Sequence, residues 1–239
     1  MNRREHLKLT AAAALSASAF PLSAAHARSN GPSIGRSRSA LIFIEFQNEW
    51  LAPDAPLNQL MEDRRQFDDA VRNATLIIDA ARRTGFPIVH AGLSLVNDPS
   101  YALFGGGKTK SGLRGAIPKA GTWRDLQRVA FPEPFTPREG EFVIAGRSGA
   151  SVLTNSNLDA FLRNNRIDHI VLLGFALHVC VESTLRQAHD LGYDATVISD
   201  AAPAFTAEQR DHVLAHVIHH FGRDLTTAQL LQQIERTHA

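Results

Sequence analysis

The chain has 239 residues, 25 Lys and Arg against 24 Asp and Glu, 44% hydrophobic residues and one cysteine. Such a length suffices for one large or two small domains with a proper core. A net charge of +1 leaves no footprint of a nucleic-acid binder, and a single cysteine excludes an internal disulfide framework or a cysteine-cluster zinc site.

Residues 1–27 read as an export leader. Arg3, Arg4 and Lys8 give a positive start, Leu9 to Leu22 an Ala-rich apolar stretch, and Ala25-His26-Ala27 a cleavage signal. The Arg3-Arg4 pair gives the leader a twin-arginine character, so a periplasmic location is expected. The apolar stretch is too short to span a bilayer. Cleavage leaves 22 basic against 23 acidic residues, a net charge of −1.

The polar, Gly- and Ser-rich residues 28–39 are expected to form a linker, and 40–239 a single domain. ALIFIEF over 40–46 predicts a buried strand ending in a carboxylate, Glu45. Apolar residues at Phe67, Val71, Ala74, Ile78 and Ala81 predict a helix over 64–83, stopped by Gly85. FPIVHA (86–91) predicts a second strand. Residues 92–124 show little periodicity and read as a long loop, either functional or mobile. EFVIA (141–145) predicts a third strand, 155–164 a helix, HIVLL (169–173) a fourth strand, 180–191 a helix and YDATVIS (193–199) a fifth strand. Thr206 predicts the cap of a helix over 207–220, and 226–234 a last helix or strand. This alternation argues a doubly wound α/β domain with a mostly parallel sheet and helices on both faces.

Active sites in such folds lie beyond the carboxyl ends of the strands. Glu45, Arg147 and Cys180 occupy such ends. A cysteine opening a helix has its thiolate favoured by the helix dipole, and nearby backbone N–H groups suit an oxyanion. Taken alone, a free cysteine is more often a small buried core residue. Glu45 is suited to accept a proton, and Arg147 supplies fixed charge without shuttling protons. Trp50 and Trp123 are candidate pocket walls.

Three blocks carry a resemblance: LIFIEFQNEW (41–50); Gly146-Arg147 with TNSNLD (154–159); and GFALHVCVEST (174–184) with Arg186, Ala188 and Gly192-Tyr193. Asp200-Ala201 extends it. Together they resemble the isochorismatase-like cysteine hydrolases. The resemblance implies a doubly wound parallel sheet and hydrolysis of C–N bonds in small amides by an Asp, Lys and Cys triad. Glu45 stands where the family has Asp, Arg147 where it has Lys, and Cys180 is unchanged. Ala176 and Cys180 match the positions whose N–H groups form the family's oxyanion hole, with a cis peptide expected at Phe175–Ala176. Leu177 and His178 depart from a common Thr-Asp pair, which makes His178 a candidate supplementary base.

The implied partners are a small-molecule substrate and further copies of the chain, as homodimer or homotetramer. Nucleic acid and, in the mature form, membrane are not expected, and no cofactor is implied. No metal is expected either: some family members hold one through His after the first strand, and residues 51–60 contain no His. The His212, His216, His219 and His220 cluster and the cations Lys108, Lys110, Arg114 and Lys119 read as solvated surface. Two alternatives stand beside the amidase: a degenerate member that binds without turnover, and a hydrolase of a non-amide bond such as the vinyl ether of isochorismate, which needs the acid and not the thiol.

Overall fold

The structure is a computed structural model that describes residues 34–107 and 109–236; the expected leader lies outside them. Six strands form one sheet: β1 (Ser39–Ile44), β2 (Ile88–Ala91), β3 (Phe142–Val143), β4 (His169–Gly174), β5 (Asp194–Ile198) and β6 (Arg223–Leu225). Their order is β3-β2-β1-β4-β5-β6, and every pairing is parallel. The expected α/β architecture is therefore the observed one. β6 was not anticipated, because its three residues include Arg223 and Asp224 and show no apolar run.

The central strands are buried on both faces, as continuous apolar runs in a parallel sheet require. Period-two alternation divides β1 between two cores: Leu41 and Phe43 face one, Ala40, Ile42 and Ile44 the other. The first core is roofed by α2 (Arg64–Thr84) and α9 (Thr227–Arg236), through Ala74, Ile78, Leu230 and Ile234. The second is roofed by α5 (Leu158–Asn164), α6 (Glu182–Asp190), α7 (Ala207–His216) and α8 (Ile218–Phe221). α2 starts where the Asp63 side chain accepts the Gln66 N–H and stops at Gly85, whose φ of 64° is left-handed. Thr206 and Gln209 close a capping box on α7. The expected helix over 207–220 breaks at Val217 into α7 and α8.

Two other expectations are corrected. The linker is already packed at Ile34, which is 1% exposed and donates its N–H to Gln233 Oε1 at 3.2 Å. The 92–124 segment contains a 3₁₀ turn at Ala102–Phe104 and the helix α3 (Leu113–Ala120). Asp98 caps that turn by accepting the N–H groups of Ala102 and Leu103, a local contact that hydrophobic periodicity does not register. Between it and the edge strand lies a one-turn helix, α4 (Leu126–Val129).

The two-residue β3 is fixed from below by a buried polar clasp. Glu141 accepts from Arg82 Nε at 2.7 Å, from the Arg138 N–H at 2.9 Å, and pairs with His90 Nε2 at 2.7 Å. Arg82 spends its other donors on the Pro134 and Thr136 carbonyls. Burial alone would raise the Glu141 carboxyl, but these donors hold it down to about 2. A depressed carboxylate adds stability above its unfolded pKa and loses it as pH falls. Glu141→Gln should therefore cost about 3 kcal/mol near neutral pH. Chemical denaturation across pH should show that cost fading as pH falls from about 4.5 towards about 2.

Candidate active site

β1 has β2 on one side and β4 on the other, so the strand order reverses between β1 and β4. A crevice opens at the carboxyl ends of strands at such a point. The two strands meet closely there. Gly174 pairs with Ile44, and a Cβ on Gly174 would lie 2.1 Å from the Ile44 carbonyl oxygen, so only glycine fits.

Glu45 is the first residue beyond β1. Its φ of 58° is left-handed, an uncommon state for a residue with a side chain. Its N–H continues the ladder to the Ala91 carbonyl, while its own carbonyl accepts the Gln47 N–H at 2.6 Å. The chain thus turns sharply into α1 (Asn48–Leu51). Arg147 arrives from beyond β3. Its Nη2 lies 2.6 Å from Glu45 Oε1, and its Nε and Nη2 donate to the Gly149 and Ala150 carbonyls. Its Nη1 is buried and has no partner among the described residues.

Cys180 arrives from β4 through a cis Phe175–Ala176 peptide, as expected. It does not open the helix. It is the fourth residue of a π-type turn, Leu177–Val181, that runs into α6. In that turn the Val179 and Val181 N–H groups both donate to the Ala176 carbonyl. Ala176 N–H has no acceptor among the described residues. Thr184 Oγ1 donates to the Cys180 carbonyl at 2.7 Å and fixes the turn to α6.

The three side chains meet, although 135 positions separate the first from the last. Glu45 and Arg147 both interact directly with the Cys180 thiol. Exposures of 2%, 6% and 7% make this a nearly dry cluster. The expectation of a thiolate favoured by a helix terminus is overturned: burial, then the Glu45 charge, push the Cys180 thiol up, and the Arg147 guanidinium only partly opposes them. Arg147 is held protonated against its own burial by Glu45 and Cys180.

The remaining candidates fall into place differently. Trp50 is 4% exposed and donates Nε1–H to Glu45 Oε2 at 2.7 Å. Trp123 is 2% exposed in the first core, and its N–H donates to Glu49 Oε2 at 2.9 Å. His178 is half-buried in the π turn, its ring edge-on to Phe205. Two cavities lie near these residues, one of them lined by a member of the cluster. One of about 620 Å³ reaches Arg147 and is lined also by Gln47, Ser94, Asn97 and Phe131; the other, about 1070 Å³, reaches His178, Glu182 and His212.

Sequence reasoning missed two buried residues beside the carboxylate. Gln47 bonds the Leu93 N–H and carbonyl and the Val129 carbonyl. Glu49, whose carboxyl is raised by burial although the Trp123 N–H opposes this, anchors the start of the segment leading to α4. The available signal was their polarity just beyond an apolar strand. Among the described residues no group of three or more His, Cys, Asp or Glu is placed to hold a metal ion, and no helix is long and apolar enough to cross a membrane.

Fold and site together define a three-layer α/β protein with a buried Glu-Arg-Cys cluster at its topological switch point. The family model of the isochorismatase domain matches residues 39–229, and this chain belongs to that family. It is 30% identical over 198 residues to the ureidoacrylate amidohydrolase RutB of Klebsiella pneumoniae subsp. pneumoniae, covering 76% of this chain and 82% of that protein. Among solved structures, a cysteine hydrolase from Pseudomonas syringae pv. phaseolicola superposes with a TM-score of 0.72 at 22% identity, covering 87% of this chain and 99% of that one. N-carbamoylsarcosine amidase from Thermoplasma acidophilum superposes at 0.59 and 22% identity, covering 80% and 96%.

Removing the cation tests the electrostatics. Arg147→Met leaves Glu45 buried without its counter-charge, which should lower stability by about 3 kcal/mol or more. It also removes the one charge that lowers the thiol. Alkylation of Cys180 by iodoacetamide at pH 7, followed by mass spectrometry, should slow at least about tenfold.

Proposed function

We propose that this protein is an amidohydrolase that cleaves a small amide-type C–N bond with Cys180 as nucleophile, through a thioester. The observation that carries the reading is the contact of Glu45, Arg147 and Cys180 in one buried cluster. The amidohydrolase and amidase names among its relatives support the bond type.

The raised thiol sets the order of events. Cys180 rests as S–H, and the proton passes to Glu45 as sulfur attacks the carbonyl carbon, so no free thiolate accumulates in the dry site. Arg147 offsets the charge on sulfur and carboxylate but keeps its own protons. The carbonyl oxygen, now negative, is placed at the N–H groups of Ala176 and Cys180. Collapse breaks the C–N bond, and the nitrogen takes the proton from Glu45 and leaves as ammonia or an amine. Water then gives a proton to Glu45 and attacks the thioester, and the released sulfur recovers that proton. Each cycle consumes one water and restores the thiol and the carboxylate. His178 does not enter this cycle.

The intact ion pair favours turnover over a degenerate site, because Glu45 and Arg147 keep acid, cation and thiol in contact despite both being longer than the residues they replace. We also read residues 1–27 as an export leader. The near-complete burial of the single thiol suits an oxidising compartment, where exposed thiols are lost.

The test is ammonia release from a panel of small primary amides and ureido compounds. The full chain should be active on at least one, and Cys180→Ala should lose at least about a thousandfold in kcat/KM. Undiminished activity in that variant would move the reading to acid chemistry at Glu45 on a different bond.

A further inference from the structure

The Glu45 carboxylate is gripped from two sides. Arg147 Nη2 lies 2.6 Å from Oε1, and Trp50 Nε1–H donates to Oε2 at 2.7 Å. We propose that Trp50 is a positioning residue for Glu45, holding the carboxylate plane so that a remaining lone pair faces the Cys180 thiol. The inference rests on the cysteine mechanism above and deepens it.

Three observations carry it. A glutamate has one more rotatable bond than an aspartate, so one anchor would leave its carboxylate free to swivel. Two donors, one on each oxygen, fix both its position and its plane, and each oxygen keeps a second lone pair for the thiol proton. The indole is itself held. Its ring stacks on Phe175 at 5.3 Å with 13° between planes, and the Trp50 carbonyl accepts Asn58 Nδ2–H at 2.7 Å. Phe175 contributes the cis bond to Ala176, so one ring bridges the proton acceptor and the turn that carries the nucleophile. Lastly, packing needs only an aromatic ring. The one polar atom of this buried side chain has Glu45 as its acceptor, and a buried N–H requires one.

The single cysteine gives a readout that needs no known substrate, since iodoacetamide labels one thiol only. The titratable and charged groups in contact with Glu45 are Arg147 and Cys180. Arg147 keeps its charge throughout, so the acid limb of the alkylation-rate profile reports proton loss from the Glu45 and Cys180 pair. Trp50→Phe keeps the ring and removes the N–H. Losing a donor to a carboxylate favours its protonated form. The acid-side midpoint should therefore move up by about one pH unit. With an amide substrate, kcat should fall at least about tenfold with KM little changed. In a Glu45→Gln background the same substitution should shift nothing.

A folded Trp50→Phe protein with an unmoved midpoint and undiminished kcat would overturn the proposal. Should that variant fail to fold, Trp50→Tyr carries the same test, since its hydroxyl lies at the far ring edge and does not replace Nε1. The two readings fail separately. Activity surviving in Cys180→Ala sinks the cysteine mechanism, whereas an unmoved midpoint beside an inactive Cys180→Ala sinks only the role of Trp50.

Discussion

A carboxylate and a guanidinium, both almost wholly out of water, lie 2.6 Å apart at the place where the strand order reverses. Taking two charges out of water costs several kcal/mol each, and their attraction offsets that only when the remaining donors and acceptors are also satisfied. Here most of them are. Glu45 receives Arg147 on one oxygen and Trp50 on the other, while Arg147 spends further donors on the Gly149 and Ala150 carbonyls. The exception is Arg147 Nη1, a buried donor without an acceptor among the described residues. An unsatisfied buried donor costs on the order of 1–3 kcal/mol, so the pair is not tuned for stability alone. A carbonyl oxygen or carboxylate entering the site would supply what Nη1 lacks.

The short segment from Glu45 to Trp50 is where the pair is tied to the rest of the domain. Gln47 joins the end of β1 to Leu93 and Val129. Asn48 donates to the Gln127 carbonyl by its side chain and to the Ala130 carbonyl by its N–H. Glu49 holds Trp123. One turn of helix thus fastens three points of the 92–130 region, the most irregular part of the domain, to the residue that would accept the proton. A side-chain change at Glu49 would reach the chemistry through geometry, by way of Trp123.

What the sequence discloses follows the strength of the local signals. The five longer apolar strand runs, the spacing over Phe67 to Ala81 and the cap at Thr206 are short-range patterns, and each appears at its place, although the expected third strand over 141–145 shrinks to Phe142–Val143. The three site residues were legible as strand-end positions, and the motif resemblance added the cis peptide and its N–H groups. β6 was not legible, because its position follows from pairing with β5, and the break at Val217 has no glycine or proline to mark it. Nor was the state of the sulfur. A helix terminus predicts an acidic thiol, but the net effect depends on how deeply Cys180 is buried and on the Glu45 charge beside it, which only the tertiary structure specifies. Trp50 shows the same limit: the sequence marks it as an aromatic wall, while its indole N–H turns out to face the carboxylate.

The two lengthened side chains also constrain how protons move. With lysine beside the acid, the cation is a second group able to give up a proton when buried. Arginine removes that option, so in the proposed cycle every proton would pass through Glu45: from the thiol, to the leaving nitrogen, from water and back to sulfur. Such a sole carrier must face three partners in turn from one fixed position, which a long, flexible side chain does poorly unless it is held. The anchors on both of its oxygens, Arg147 on one and Trp50 on the other, supply that hold.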